Sequence, residues 1–237
     1  MTDEVWGDGL AAWWIGEVEG DPAYAEEVVP LALEIAAAGR GERWLDLGCG
    51  EGRMMRALRE RAADPIGCDA SPELAGRAAS SGPVVESRLP DLSWLQADSC
   101  DGAIAVLVIE HLPEVDGLFR SCARVVRPGG VLALVLNHPL MTAPGSAPVF
   151  DPDDGEILWR WGAYLGSGTT AEPAGGRAVT FHHRPLGSLL SEAAGAGWDL
   201  ERVIERGPGE AQAARDPLLA LQRAVPRLLA VRWRRRP

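Results

Sequence analysis

The sequence contains no lysine, and all 23 of its basic residues are arginine. This absence excludes Schiff-base chemistry and catalysis by a lysine amine, and it excludes the phosphate-binding P-loop, which needs a lysine. Against the 23 arginines stand 34 acidic residues, so the formal net charge is −11. A surface of that sign repels the phosphates of nucleic acid, and a nucleic-acid partner is therefore not expected.

Long hydrophobic runs and paired cysteines are also missing. No run approaches the ~18 uncharged apolar residues of a membrane helix, and the acidic start of the chain does not resemble a signal peptide. We therefore expect a cytoplasmic protein with no membrane partner. The four cysteines show no C-x-x-C spacing, which favours reduced packing residues over disulfides or zinc ligands, and no metal site is predicted. They are Cys49, Cys68, Cys100 and Cys122.

One stretch, Trp44–Arg53, combines the patterns of a strand, a glycine turn and a helix start. Trp44, Leu45 and Leu47 suit a strand that is covered on both faces. Three glycines at alternate positions then permit positive φ and let a ligand lie against bare backbone. The residues that follow, Arg53–Ala62, have helical composition with apolar side chains at helical spacing. The pattern predicts a ligand-binding loop between a strand and a helix.

The chemistry of this loop favours one kind of nucleotide-like ligand. A dinucleotide fingerprint, G-x-G-x-x-G, needs a glycine where Arg53 stands. Glu51 and Asp46 place carboxylates where a pyrophosphate would lie, and like charges repel. S-adenosylmethionine carries an adenosine, a sulfonium and a methionine end but no phosphate, so it suits these surroundings.

The run Asp46–Gly52 resembles the first motif of the class I S-adenosylmethionine-dependent methyltransferases. The second element of that family is an acidic residue at the end of the next strand, and Asp69 stands at the expected spacing. Cys100–Leu112 and Arg127–Val135 resemble the family's fourth and fifth strands with their adjoining turns. The resemblance implies S-adenosylmethionine as cofactor and S-adenosylhomocysteine as product.

The resemblance also implies which residues bind the cofactor. In this family an aspartate after the third strand bonds the adenine amino group. The corresponding run here is Val84–Pro90, so this residue is either Glu86 or its replacement, Ser87. The expected cofactor-binding residues are Asp46, Gly48, Cys49, Gly50, Gly52, Asp69, Ala70, Leu74, Glu86, Ser87, Arg88, Leu89, Val106 and Leu107.

The 237 residues, 46% of them hydrophobic, are enough for one substantial α/β domain but not for a second independent core. Strand and helix patterns alternate between Trp44 and Val135, which indicates a parallel sheet covered by helices on both faces. The resemblance implies a Rossmann-like methyltransferase fold with a seven-stranded, mostly parallel sheet, an N-terminal helical leader and a lid insertion after the fifth strand. The expected segments of this single domain are a helical cap at 1–42, a cofactor-binding core at 43–138, a substrate lid at 139–180 and the rest of the core at 181–237. Strands are predicted at 43–47, 65–69, 83–86, 102–108, 130–136, 158–161, 179–181, 198–205 and 228–233, and helices at 24–38, 51–62, 72–80, 114–125, 186–194 and 217–224.

Aromatic and basic residues in the leader and the insertion are the candidates for substrate contact. In the resembling family the leader folds over the cofactor, and the insertion commonly covers the substrate. The alternative for the same side chains is packing against the sheet or within a two-stranded flap. The candidate substrate-contacting residues are Trp14, Tyr24, His138, Trp159, Trp161, Tyr164, His182 and Arg184.

Four histidines are available to remove a proton from an acceptor. Ligands of such sheets lie beyond the carboxyl ends of the strands, which directs attention to Glu110–His111 and Asn137–His138. His138 is the first candidate general base, because it directly follows the fifth strand and Pro139 holds its backbone extended. His111 and His183 are further candidates, and a structural role is the alternative for each.

The predicted function is S-adenosylmethionine-dependent transfer of a methyl group to a small-molecule acceptor by in-line displacement, in the biosynthesis of a metabolite or natural product. The alternatives are an enzyme that binds this cofactor without methylating, a cofactor-binding partner subunit, or an RNA or protein methyltransferase. A monomer and a homodimer are both compatible with the sequence. The acceptor, and whether its oxygen, nitrogen or carbon is methylated, stay open.

Overall fold

The computed structural model describes residues 10–174 and 176–237, which form helices around one large sheet and two small ones. The strands are β1 (Arg43–Leu47), β2 (Asp64–Asp69), β3 (Val84–Glu86), β4 (Cys100–Val106), β5 (Val126–Asn137), β6 (Ala147–Asp151), β7 (Glu156–Arg160), β8 (Gly168–Ala174), β9 (Arg177–His183), β10 (Trp198–Arg206) and β11 (Leu228–Arg235). The α-helices are α1 (Leu10–Gly20), α2 (Val29–Ala36), α3 (Arg53–Glu60), α4 (Pro72–Ala78), α5 (Asp116–Val125), α6 (Pro139–Thr142), α7 (Leu186–Gly195), α8 (Glu210–Arg215) and α9 (Pro217–Leu221). Three single turns of other helix types lie at Tyr24–Val28, Ala79–Ser81 and Ile109–His111.

The large sheet has seven strands in the order β10-β11-β5-β4-β1-β2-β3. The first five strands of the chain run parallel, and β11 lies antiparallel between β5 and β10. The order places β1 and β4 at the centre, and their carboxyl ends lie side by side with those of β2 and β5. The predicted α/β fold with a seven-stranded, mostly parallel sheet is confirmed.

Two apolar layers fix the helices to the faces of this sheet. On one face α5 and α7 pack around Phe119 and Trp198, and the Trp198 indole donates a hydrogen bond to the Phe119 carbonyl oxygen at 3.0 Å. On the other face α2 and α3 pack around Trp44 and Ile35, both fully buried. Because apolar side chains on both faces are buried, the central strands are nearly continuous hydrophobic runs, as in Val131–Leu136.

The predicted strand boundaries differ from the observed ones where a glycine turn was expected. The pattern predicted a turn within Arg127–Val135 followed by a strand from 130, but β5 already begins at Val126. A β-bulge absorbs the extra residues, since Cys100 pairs with Val126 while Gly102 pairs with Val131. The turn composition therefore lies within an irregular strand.

The insertion after β5 contains two hairpins. β6 pairs with β7, and β8 pairs with β9, each as a separate antiparallel sheet. The strand predicted at 179–181 is present as part of β9, and it pairs with β8 and not with the large sheet. The strand predicted at 158–161 corresponds to β7. The turn between β6 and β7 is closed by Asp151, which accepts hydrogen bonds from the amides of Asp153 and Gly155.

Helix α1 contacts both the large sheet's helices and the second hairpin. Its Ala11 and Ile15 pack against Leu74 of α4, and its Leu10 packs against Val179 of β9. The predicted helix at 24–38 consists of the π-type turn followed by α2, with Pro30 in the first turn of α2, where a proline is tolerated. Within residues 10–174 and 176–237, the structure contains no helix with the length and apolar character needed to span a membrane.

Candidate functional site

The glycine loop after β1 is held close to its neighbours. Gly48, Gly50 and Gly52 all have positive φ, at 64°, 55° and 85°. A Cβ atom at Gly48 would lie 2.7 Å from a methyl carbon of Val108, and one at Gly52 would lie 3.0 Å from the Cα of Ala78. At Gly50 the nearest atom would be 4.0 Å away, so the middle of the loop presents open backbone to a ligand. Cys49, which is buried between these glycines, donates its amide hydrogen to the Cys68 carbonyl oxygen of β2 at 2.9 Å.

Asp69, at the end of β2, faces this loop. One carboxylate oxygen accepts the Gly50 amide at 2.9 Å, and the other accepts the Ser71 amide at 2.8 Å. Burial raises the pKa of Asp69, and these backbone hydrogen bonds oppose the shift. Each oxygen keeps a second lone pair, so the carboxylate can still accept hydrogen bonds from two ligand hydroxyls. The ribose of a nucleoside offers such a pair.

Asp46 lies in β1, directly before the loop, and is 1% exposed. Its Oδ2 atom is buried, and none of the described residues gives it a hydrogen bond. Burial raises the pKa of Asp46 to about 8, and the neighbouring charges of Asp69 and Glu51 raise it further in the same direction. A cation at this point would favour the ionised carboxylate and lower the pKa again, whereas a phosphate would favour the neutral carboxyl and raise the pKa further. The site therefore favours a positively charged ligand group over an anionic one.

The residues assigned to the adenine end lie at the neighbouring strand end. Glu86 pairs with Asp69 in the β2–β3 register, and the Ser87 amide donates to the Asp69 carbonyl oxygen at 2.9 Å. The Ser87 hydroxyl donates to the Asp91 carbonyl oxygen at 2.7 Å, whereas the Glu86 carboxylate is exposed. Arg88 is exposed as well, and Leu89 packs against the core. Both candidates for the adenine contact thus lie beside Asp69.

On the other side of Asp69, α4 begins with Ser71 as its N-cap. Ala70, the residue before this cap, is half-buried, and Leu74 in the first turn of α4 is 3% exposed. The side chain that covers Leu74 from α1 is that of Ile15, and Trp14 packs beside it. Helix α1 therefore closes the side of the predicted cofactor site that lies opposite the sheet.

A pocket of about 290 Å³ lies beyond the carboxyl ends of β4 and β5. Trp13, Trp14 and Tyr24 line one side of it, and Leu107 and Asn137 line the other. Leu107 follows the buried Val106 with a positive φ of 56°, and its amide donates to the Val135 carbonyl oxygen at 2.7 Å. The sharp turn at Leu107 places this pocket between the glycine loop and the end of β5.

Tyr24 joins this pocket to the charged loop. The guanidinium carbon of Arg53 lies 5.2 Å from the centre of the Tyr24 ring, and Arg53 also pairs with Glu51 at 3.1 Å. Burial raises the pKa of Tyr24, and the charges of Asp46 and Glu51 add to this shift. The phenol is therefore neutral at physiological pH and supplies a hydroxyl, not a phenolate, to the pocket.

His138 and His183 use both of their ring nitrogens within the protein. The Leu140 amide donates to Nδ1 of His138 at 3.0 Å, so its Nε2 carries the proton and bonds Glu205 at 2.8 Å. Burial lowers the pKa of His138, and Glu205 opposes the shift. His183 donates from Nε2 to the Tyr164 carbonyl oxygen at 2.8 Å and contacts the Thr142 hydroxyl at 3.1 Å. Both imidazoles hold segments of backbone together.

The other two histidines lie near each other beside the second hairpin. The His111 ring packs against Phe181, with ring centres 4.8 Å apart, and its Nδ1 is 3.4 Å from the Thr180 carbonyl oxygen. His182 lines a cleft of about 570 Å³ between this hairpin and α7. Burial lowers the pKa of His182, and the charge of Arg184 adds to the shift, so its imidazole is neutral at pH 7. The Arg184 guanidinium donates to the backbone carbonyl oxygens of Ile109 (2.9 Å) and Leu112, which ties the hairpin to the segment after β4.

The aromatic residues of the first hairpin lie away from the 290 Å³ pocket. Trp159 donates from its indole to the Ser146 hydroxyl at 2.8 Å. Trp161 is 61% exposed and packs edge-on against Tyr164, with ring centres 5.6 Å apart. The residues that line the pocket come instead from α1, the π-type turn and the residues before it, the ends of β4 and β5, α8 and the start of β11.

Glu110 and Asn137 were not among the candidate site residues, although both stand at the strand ends that the pattern indicated. Asn137 is the last residue of β5 and lines the pocket. Its side-chain Nδ2 donates to Oε1 of Glu110 at 2.9 Å, and Glu110 is 2% exposed. The rule that ligands lie at strand ends was the signal that could have selected these two residues.

The fold agrees with what similar proteins show. Residues 45–134 match the family model described as a methyltransferase domain. Over these residues the chain is therefore similar to the class of methyltransferase domains. A domain of that class is consistent with the strand order, with the open backbone at Gly50 and with the acids Asp46 and Asp69 beside it.

Particular relatives agree with the class. A crystal structure of an S-adenosylmethionine-dependent methyltransferase from Mesorhizobium loti is 28% identical, with a TM-score of 0.74 over 92% of this chain and 100% of that chain. A structure from Listeria monocytogenes, 19% identical, has a TM-score of 0.73 over 90% of this chain and 98% of that chain and is similar in fold. A ubiquinone biosynthesis O-methyltransferase from Bordetella avium is 34% identical over 131 residues, which are 51% of this chain and 54% of that protein. The chain spans about half the length of the curated relatives it matches.

Proposed function

We propose that this protein transfers a methyl group from S-adenosylmethionine to a small-molecule acceptor. The observation that carries the proposal is the pair of buried acids, Asp46 and Asp69, around the open backbone of Gly50. Asp46 has an oxygen without a hydrogen-bond partner in the described structure, and each oxygen of Asp69 keeps a lone pair that can accept a further hydrogen bond. A ligand with a cation and a pair of hydroxyls complements both.

The residues present fit the proposed cofactor. Asp69 would accept the ribose hydroxyls, and the unpartnered oxygen of Asp46 would face the positively charged methionine end, next to the loop backbone. Glu86 or Ser87 would contact the adenine, since both lie beside Asp69. The acids around the loop disfavour a diphosphate at this position, because each of them that is ionised repels its negative charges.

The bound cofactor would supply an electrophilic methyl group to a lone pair of the acceptor, with S-adenosylhomocysteine as the leaving group and the acceptor's proton released. The chain's own part is to hold the acceptor in line with that bond and to exclude water. Tyr24, Trp14 and Leu107 do this in the proposal, because they line the pocket. Trp14 also lies next to the glycine loop, since its indole nitrogen is 4.0 Å from the position of a Cβ at Gly50.

The acceptor is proposed to be a small molecule that is methylated on oxygen. The Bordetella relative is an O-methyltransferase, which supports oxygen, and the aromatic side chains that line the pocket support a flat acceptor. We also propose that the insertion 139–180 helps to cover the acceptor, because Arg184 and His183 anchor its hairpins at the ends of the central strands. A volume of about 290 Å³ suits one small ring system better than a polymer.

Calorimetry and a labelling assay test the proposal together. S-adenosylhomocysteine should bind the full-length chain, whereas NAD should not. With methyl-labelled S-adenosylmethionine and a fractionated metabolite extract, label should move to a small molecule in proportion to the S-adenosylhomocysteine formed. Tight uptake of NAD without uptake of S-adenosylhomocysteine would overturn the proposal.

A further inference from the structure

The end of β5 presents one side-chain amide to the proposed acceptor pocket. Asn137 lines the pocket opposite Trp14 and Tyr24, beside the turn at Leu107. Its backbone amide and its side-chain Nδ2 both donate to the same atom, Oε1 of Glu110, at 3.2 and 2.9 Å. Glu110 thus holds Asn137 at two points.

The chemistry of Glu110 decides which way the amide faces. Oε1 of Glu110 already accepts the backbone amide hydrogen of Asn137, so the side-chain group that turns towards the same oxygen is the NH₂ donor and not the carbonyl oxygen. The carbonyl oxygen, Oδ1, is then the atom of this amide that is left for the pocket. In the part of the chain that the structure describes, no group donates a hydrogen bond to that oxygen.

The burial of Glu110 supports an orienting role for it. Its side chain is 2% exposed, and its second oxygen, Oε2, is buried without a hydrogen-bond partner among the described residues. Burying a carboxylate that is satisfied on one oxygen only is unfavourable for stability. Among the described residues, the hydrogen bonds that the Glu110 side chain accepts both come from Asn137, so this unfavourable burial fixes the amide.

We propose that Asn137 binds the acceptor, its Oδ1 accepting a hydrogen bond from the hydroxyl group that becomes methylated, and that Glu110 is the positioning residue that fixes this amide. The inference rests on the proposed methyl transfer and names the acceptor as a hydroxyl compound. Methylation replaces the hydroxyl hydrogen by a methyl group, so the product can no longer donate to Oδ1. The same contact that holds the acceptor therefore disfavours the product.

Phenol and anisole make a matched pair of probes, because they differ by this hydrogen and this methyl group. The full-length chain, saturated with S-adenosylhomocysteine, is titrated with each compound and followed by nuclear magnetic resonance. For the unmodified protein we expect phenol to bind about tenfold more tightly than anisole, the effect of one hydrogen bond. Asn137→Ala should bring the two affinities together, and Glu110→Gln should reduce the preference for phenol at least about threefold, because a glutamine no longer dictates which way the Asn137 amide faces.

The matched control is Glu114→Gln, which removes an exposed carboxylate four positions away and should leave the preference unchanged. The ratio of the two affinities distinguishes a change in the orientation of the Asn137 amide from a general loss of structure, because a destabilised fold would weaken the binding of both compounds to the same extent. Equal binding of phenol and anisole to the unmodified protein, failure of phenol to bind, or a preference that persists in Asn137→Ala would each overturn the inference and leave the methyl-transfer proposal standing. Absence of S-adenosylhomocysteine binding would overturn both.

Discussion

The two sides of the candidate site differ in how much of their hydrogen-bonding capacity the protein itself uses. On the cofactor side, Asp46 has a buried oxygen without a partner in the described structure, and Asp69 keeps lone pairs on both oxygens. On the acceptor side, His138 and His183 have protein partners at both ring nitrogens, and Arg184 is bonded to backbone carbonyl oxygens. The cofactor side is built to receive polar groups, whereas most polar groups of the acceptor side hold the fold together.

This difference changes which residues are expected to matter for chemistry. Methyl transfer from a sulfonium needs alignment above all, and a strong base is not required for every acceptor. An acceptor side whose histidines serve structure is compatible with that chemistry. The comparison yields four predictions, beginning with the largest expected effect.

The first concerns the pH dependence of stability. The carboxyl of Asp46 has an ordinary pKa of 3.8 that rises to about 8 in the folded protein, so the folded state holds this proton more tightly than the unfolded state. Stability from this group is complete below about pH 4 and is lost as the pH rises through about 8, by on the order of 5 kcal/mol. Asp46→Asn should abolish this part of the decline. Urea unfolding of both proteins at a series of pH values measures it, and parallel stability curves for the two proteins would contradict it.

The second concerns the affinity for the cofactor. Asp69→Asn keeps one oxygen acceptor but replaces the other by a donor that faces the backbone amides. We expect S-adenosylhomocysteine to bind about a hundredfold more weakly, which corresponds to about 3 kcal/mol. The control is Asp64→Asn at the exposed start of the same strand, where the affinity should not change. Calorimetry on the three proteins decides, and equal affinities would remove Asp69 from the site.

The third separates backbone strain from close packing in the glycine loop. Gly48 and Gly129 both have positive φ, at 64° and 74°, but an added Cβ would meet Val108 at 2.7 Å only at Gly48. At Gly129 nothing lies within 4 Å of the added atom. Gly129→Ala should therefore cost about 1 kcal/mol of unfolding free energy, and Gly48→Ala about 2 kcal/mol more. Similar losses in chemical denaturation would show that the loop is not packed as described.

The fourth asks whether His138 acts in structure or in catalysis. His138→Ala removes the N-cap of α6 and the hydrogen bond to Glu205, which should cost about 1 kcal/mol of stability. The rate of methyl transfer should stay within about threefold of the original, since loss of a general base would lower it by about a hundredfold or more. A hundredfold slower reaction with unchanged cofactor affinity would instead support the catalytic role that its position after β5 indicated.

The sequence was most informative where a functional unit is local. Strand, turn and helix follow each other within Trp44–Arg53, and Asp69 lies at a fixed spacing set by one crossover. These residues could be selected because the strand–turn–helix pattern itself fixes where they lie. The parallel order of β1, β2, β4 and β5 follows from the same alternation.

The partners of the histidines could not be predicted, because they lie far away in the sequence. Glu205 is 67 positions from His138, and Thr142 is 41 positions from His183. A histidine after a strand has the same local pattern whether its nitrogens are free or bonded, and only the tertiary structure distinguishes the two. For the same reason the strand at 179–181 was predicted without its partner, since pairing with β8 cannot be recognised from the three residues used to predict it.

The position of α1 has a consequence for the entry and release of ligands. This single helix touches Leu74 through Ile15 and Val179 through Leu10, so it is wedged between the helix after Asp69 and the second hairpin. Any outward movement of the hairpin must either break those contacts or move the helix with it. Entry and release of a nucleoside past Leu74, and of a second compound under the hairpin, would then both depend on movement of this helix. The residence time of each ligand would therefore depend on the other.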